Sequence, residues 1–258
     1  MISEIFPTGH WTTTHSAYKS PKLHSSVTFT PQLQRELILR RWRRNDAIEK
    51  QRTVKDETVR KRLQSRLIGY LQGDGSVGRN YDKATGRYHH NIMFYPDHIK
   101  VAELFANTFY ELYGRRINIK KLENHYKVRV CHRVAYQELT SMTTFDSLGW
   151  QAPYNLLHDV NSKREWLSAM FDCESYVGPR TIVVNSVNKR GLLQVQQLLQ
   201  EFGIQTRFYQ YQRKQKNWNT NYILAISRIS DRQTFLKRIG FNHPRKQEKL
   251  KEYLAAVA

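Results

Sequence analysis

The sequence predicts an α+β fold: two pseudo-symmetric αββαββα halves with antiparallel sheets, preceded by a basic helical extension. Three observations predict it. One short pattern occurs twice, as L-I-G-Y-L-Q-G-D-G over residues 67–75 and as L-S-A-M-F-D-C-E-S over residues 167–175. Each copy is followed by the same order of strand-like and helix-like segments. The strand-like segments alternate apolar and polar residues, and the polar positions are mostly cationic or amide side chains.

The repeated pattern has a physical reading. Leu67, Ile68 and Leu71 give an apolar stripe at helical spacing, and Gly69 and Gly73 share one helix face. Two glycines inside a helix cost about 1 kcal/mol each relative to alanine, so a compensating close contact is expected. The second copy supplies it, because Ala169 and Cys173 stand where the glycines stood. Small residues four apart let two backbones approach. Asp74 and Glu174 follow at corresponding places, 100 residues apart, and Gly75 ends the first helix. Parallel packing then brings both carboxylates to one end, where helix C-termini already carry partial negative charge. Such a pair requires a cation between its members. A hard divalent ion, Mg²⁺ with Mn²⁺ able to substitute, is expected, and two carboxylates holding it are the working part of a phosphodiester-cleaving site.

The remaining elements follow in order. Residues 1–30 are polar and without period, and read as a loosely ordered arm. From Pro31 the chain turns helical, with Leu33, Leu37, Ile38 and Leu39 among arginines. A basic helix holding Val59, Arg60, Lys61 and Arg62 has a faint helix-turn-helix character, although its turn lacks glycine; a basic extension along a DNA backbone is the expected role of residues 1–61. The first half, residues 62–142, continues with a strand over 76–81, a turn over 82–86 and a strand over 87–95. Asp97 is expected to cap a helix through Tyr113, closed by Gly114. A hairpin over 116–121 and 125–132 and a short helix near 134–142 complete the unit. A linker over 143–162 leads to the second half, residues 163–258. There the order recurs: strands near 176–187, a helix over 192–202 ended by Gly203, a hairpin over 205–214 and 221–228, a helix over 231–239 stopped by Gly240, and a basic helix from Pro244.

Charge narrows the partner. Lys+Arg 42 against Asp+Glu 22 gives +20, an excess that points to a polyanion. No run of about 18 apolar residues exists, so a membrane span is not expected. The N-terminus lacks an apolar signal core, and the two cysteines, Cys131 and Cys173, have no metal-ligand neighbours at finger spacing. A reduced intracellular compartment is therefore expected. Period-two alternation places Arg87, His89 and Asn91 on one face, with Lys120, Lys127 and Arg129 on neighbouring strands and Arg207, Tyr209, Tyr211 and Arg213 in the second half. With Arg79 and Arg180, these are side chains that contact phosphates and read base edges, so double-stranded DNA is the expected partner.

The paired motifs, L-x-G-x-x-x-G-D-G and the degenerate L-S-A-M-F-D-C-E-S, resemble those of the LAGLIDADG homing endonucleases in their single-chain, two-motif form. Ser175 departs from the family glycine and Cys173 from its small alanine. The resemblance implies a saddle of two sheets over DNA, a monomer, and a metal-dependent double-strand cut in a long, non-palindromic target. It implies metal at Asp74 and Glu174 with Gly73 and Cys173 beside them. It assigns Asn185 and Ser186 to organising water, with Phe94, which cannot do so, as the first-half counterpart of that place; Lys246 is a transition-state cation, a phosphate contact or a solvated lysine. Some relatives act as intron maturases that bind intron RNA, and a cleavage-silent DNA-binding protein on the same scaffold is a further alternative. The chain does not open on cysteine or serine or close on a His-Asn pair, so a free-standing protein rather than one embedded in an intein is expected.

Overall fold

The computed structural model describes residues 54–256, apart from 85 and 213–218, together with residues 30, 32, 34–37 and 39–40. The chain divides into two compact units, Met1–Arg44 and Asn45–Ala258. In the first, the described residues from 32 to 40 are helical, which agrees with the helix expected from Pro31. Leu33, Ile38 and the expected arm over residues 1–29 lie outside the described residues.

The second unit holds both halves. Its first helix, α1 (Glu57–Gly73), starts where Asp56 caps it: the Asp56 carboxylate accepts from the Thr58 and Val59 amides at 2.8 and 3.2 Å. The basic residues 59–62 are therefore the first turns of the motif helix itself, not a separate element. A long hairpin follows, β1 (Gly75–Asp82) and β2 (Arg87–Phe94), eight residues on each side. Then come α2 (Ile99–Tyr113), β3 (Ile119–Lys121), β4 (Tyr126–Cys131) and α3 (Arg133–Met142). The second half repeats this order as α4 (Val160–Glu174), β5 (Ser175–Val177), β6 (Ile182–Ser186), α5 (Lys189–Glu201), β7 (Arg207–Tyr211), β8 (Asn221–Ile226) and α6 (Ile229–Arg238), and adds α7 (Pro244–Ala255). The two antiparallel sheets have matching orders, β1-β2-β4-β3 and β5-β6-β8-β7.

Several helices start from caps other than the expected ones. His98, not Asp97, caps α2, its Nδ1 accepting from the Lys100 amide at 3.1 Å. Asn188 caps α5 and so starts it three residues before Leu192. Likewise, His132 and His243 cap α3 and α7. Asn118 and Arg116 fall before the short β3 rather than in it.

Apolar burial joins the halves into one core. Tyr70, Phe94, Phe105 and Phe109 fill the first half, and Phe171 and Phe235 the second, with Trp166 between the central helices. Phe94 and Phe105 stack at 4.7 Å between centroids. One face of each sheet is consumed by this core. The other faces stay open.

Candidate metal and nucleic-acid site

The site is built on the contact between α1 and α4. A methyl group added at Gly69 would lie 2.7 Å from the Trp166 carbonyl oxygen and 2.9 Å from Ala169 Cβ; one added at Gly73 would overlap Cys173 Cβ, with Sγ at 3.0 Å. The helices therefore touch backbone to backbone, in parallel, with Gly69 against Ala169 and Gly73 against Cys173. Polar bonds flank this seam. Arg66 Nε donates to Glu165 at 2.8 Å, Trp166 Nε1 to Gln72 Oε1 at 2.9 Å, and the Tyr70 hydroxyl to Asp172 at 3.0 Å. Gln72 also donates to the linker, to the Gln151 carbonyl at 2.8 Å and to Thr143 Oγ1 at 3.0 Å.

Parallel packing delivers the acids together. Asp74 is the residue that ends α1 and Glu174 the last of α4. Gly75 is not a left-handed cap, as its position just past the helix suggests. It opens β1, and its need for glycine is steric: a Cβ there would lie 2.6 Å from the Leu71 carbonyl oxygen. Ser175, its counterpart, has room for a side chain and donates to the Phe171 carbonyl at 2.6 Å.

The electrostatics are those of crowded anions. Burial raises the Asp74 carboxyl above its ordinary range, opposed by a bond from Cys173 and by the charge of Lys246. Burial, then repulsion from Asp74, pushes Glu174 up to about 7 against the pull of Lys246. Buried Asp172 rises to about 6 although it accepts from the His243 amide at 2.9 Å. Burial also pushes the Cys173 thiol well above its ordinary value.

Lys246 occupies a place that the sequence did not suggest. Its ammonium donates to the Asp172 carbonyl at 2.6 Å and the Ser175 carbonyl at 2.7 Å, with the Phe171 and Cys173 carbonyls at 3.3 and 3.4 Å. Those oxygens end α4, and a lysine there offsets the negative end of the helix dipole. With its three donors engaged, Lys246 acts on Glu174 through backbone and charge, and a transition-state phosphate has no free donor to meet. Beside it, His243 donates to Asp97 at 3.0 Å, linking the second half to the first next to the acids.

Strand register places the remaining site residues. Continuing the β5–β6 pairing by one step puts Asn185 opposite Glu174, where it is exposed. The same step in β1–β2 puts Tyr95, not Phe94, opposite Asp74, and the Tyr95 amide donates to the Asp74 carbonyl at 3.0 Å. Phe94 pairs with Gly75 and is fully buried, so the assignment of Phe94 as the counterpart of Asn185 is corrected by one residue. Ser186 shares the core-side face with Tyr222 and turns away from the acids.

Arg87, His89, Lys120, Lys127 and Arg129 share the open face of the first sheet. Asn91 is on that face too but is buried, accepting from Arg129 at 2.9 Å, so it orients the arginine. His89 is held by Asp82 at 3.3 Å. Arg79 lies on the opposite face, its guanidinium 5.0 Å from the Tyr88 ring centre, off the surface that holds the other cations. In the second sheet Arg207, Tyr209 and Tyr211 are exposed on the open face, and Arg180 is exposed in the β5–β6 turn. Arg213 lies outside the described residues.

A family model of the LAGLIDADG-like domain matches residues 161–240, the segment from α4 through α6. That segment of the chain is similar to the LAGLIDADG-like domain, and its motif has a second copy at residues 67–75. The match falls on the half whose motif departs further from the repeated pattern. The homing endonuclease I-DmoI, solved in complex with DNA and Mn, shares 19% identity, covers 70% of this chain and 97% of its own, and superposes with a TM-score of 0.56. Its G20S form, solved with target DNA in the presence of Mg, gives 0.57. Among curated proteins, a glutamine–fructose-6-phosphate aminotransferase of Methanocaldococcus jannaschii is 25% identical over 195 residues, and a replication factor C small subunit of the same organism is 26% identical over 198. These matches take in 73% and 72% of the chain but only 17% and 10% of the two relatives' lengths.

Among the described residues, no group of three or more His, Cys, Asp or Glu side chains stands close enough to hold a metal unaided. Two carboxylates that repel each other, at the negative ends of two helices, are nevertheless a donor set suited to a hard divalent cation, whose other ligands come from phosphate oxygens and water. The site thus fits such an ion as a half-built one.

Proposed function

We propose that this chain is a metal-dependent endonuclease that cuts both strands of a long, non-palindromic DNA target. The observation that carries the reading is the meeting of Asp74 and Glu174 at the joined ends of α1 and α4, with an open, cation-bearing sheet face in each half. The likeness to I-DmoI, solved with DNA and with Mn or Mg, supports it.

The residues divide the work. Asp74 and Glu174 would hold Mg²⁺ or Mn²⁺, which when bound supplies charge stabilisation to a phosphate and lowers the pKa of water. Lys246 fixes the end of α4 and keeps Glu174 from rising further, so the site binds metal near neutral pH. Asn185 beside Glu174 and Tyr95 beside Asp74 offer unlike surroundings to the two strands, so the two cuts proceed at different rates. Arg87, His89, Lys120, Lys127 and Arg129 bind and orient one arm of the duplex, and Arg207, Tyr209 and Tyr211 the other. The halves are not identical, so the target is not a palindrome, and one chain acts as a monomer.

The test is cleavage of a randomised duplex library by the full chain in Mg²⁺, set beside Asp74→Asn and Glu174→Gln. Staggered ends from the wild type alone, with binding kept in both variants, support the reading. Sequence-selective binding without cutting in Mg²⁺ or Mn²⁺ overturns it in favour of a cleavage-silent DNA-binding protein; selective binding of RNA alone favours the maturase.

A further inference from the structure

The two open faces are the same in register and opposite in chemistry. On the third strand of each sheet, Lys127 and Arg129 face outward in β4, while Ile223 and Ala225 take the equivalent places in β8. On the edge strand, Lys120 pairs with Lys127, whereas Tyr209 pairs with Ile223. On the second strand Val183 lies next to Ala225, and Tyr176 next to Val183. Among the described strand residues, Arg207 is the one cation on the second face; the first carries Arg87, His89, Lys120, Lys127 and Arg129.

This apolar strip needs a reason. Val183 and Ile223 are only half-buried, and at the edge of their face the Lys249 ammonium of α7 lies 5.2 Å from the Tyr176 ring centre. The strip lies in the row of Asn185 and Glu174 and the row beyond it, so any duplex that reaches the acids must pass over it. Polar groups surround it: Asn185, Arg207, Tyr209 and the half-buried Asn221. In a major groove, the one apolar feature of a base-pair edge is the C5 methyl of thymine, which aliphatic side chains contact.

We propose that the second sheet recognises its arm of the DNA through thymine methyl groups, with the half-buried Val183 and Ile223 as the contact surface beside buried Ala225, while the first sheet uses cations on phosphates and guanine edges. The inference rests on the DNA reading above and specifies its substrate. The target then has a thymine-bearing arm close to the cut on the side of Glu174, and a richer demand for guanine or phosphate contact on the side of Asp74.

Selection of random duplexes by the full chain without metal, followed by replacement of thymine with deoxyuridine in the selected site, tests it. Deoxyuridine deletes the methyl and nothing else. Each contacted methyl is expected to be worth about fourfold in affinity, at two or three positions in one arm and at none in the other. Ile223→Ala should abolish the uracil penalty at one of those positions, and Ile223→Arg should move the preference there toward guanine. A selected site whose binding ignores deoxyuridine in both arms, or whose two arms are equally guanine-rich, overturns the inference and leaves the nuclease reading standing. A library from which no sequence is enriched overturns both.

Discussion

Replacing Glu174 with glutamine should stabilise the protein above neutral pH and leave it unchanged in acid. In the folded state Glu174 titrates at about 7, against 4.5 for its ordinary value, because it is buried and faces Asp74. Below pH 4.5 the group is protonated in both folded and unfolded chains and contributes no difference. Between 4.5 and 7 the unfolded chain ionises first, so it binds fewer protons and gains relative to the folded state as pH rises. Above 7 the penalty is complete, and at 1.36 kcal/mol per pKa unit it amounts to about 3 kcal/mol. The assay is urea unfolding in EDTA at pH 4.5, 6 and 8 for wild type and Glu174→Gln. Asp172, which rises to about 6, adds its own slope to both proteins and cancels in the comparison. The variant should gain steadily on the wild type with pH, and Mg²⁺ should stabilise the wild type more than the variant. A gap between the two that does not change from pH 4.5 to 8 would refute the claim that Asp74 and Glu174 are forced together.

Three further outcomes follow from the geometry. Gly73→Ala should cost about 2 kcal/mol by overpacking against Cys173, read from denaturant midpoints, and Cys173→Ala should relieve part of that loss in the double variant. Lys246→Met leaves the carbonyls at the end of α4 without their donor; it should destabilise by about 2–4 kcal/mol and raise the pH at which metal is bound, checked by calorimetric titration with Mn²⁺ at pH 6.5 and 8. Lys127→Ala should reduce the slope of log affinity against log salt by about one, whereas Ile223→Ala should leave it unchanged, as measured by fluorescence anisotropy with labelled duplex.

Much of this arrangement is legible in the sequence because it repeats. Gly69, Gly73 and the acid after them form a rare pattern, and a second copy at a distance turns a helix into a helix pair. Alternation along β4 and β7 separates the core face from the open one without knowledge of the partner strands. The register between strands is less accessible: Phe94 and Tyr95 are adjacent aromatics, and a one-residue slip exchanges the faces, so the neighbour of Asp74 needed the actual pairing. The same holds for Arg79, whose face depends on its partner His90. Histidine caps hid the starts of α2 and α3, since histidine lies outside the usual capping residues. Lys246 was visible as a basic residue near a helix start, but its bonds are to carbonyls more than 70 residues away in sequence, and no local pattern announces those. Asp172, two residues before Glu174, belongs to the scaffold: it is buried and accepts from the Tyr70 hydroxyl.

The seam between α1 and α4 also constrains the order in which this gene could change. Space at the crossing is shared, with no volume at position 73 and a thiol at position 173. A side chain at 73 meets the Cβ of residue 173 before its thiol, so a larger residue at 73 is accommodated better the smaller the residue at 173. Substitutions at the two positions are therefore coupled in their effect on packing although a hundred residues separate them. A duplicated gene that began with two alike motifs could lose its symmetry here only by alternating steps, each permitted by the residue across the seam.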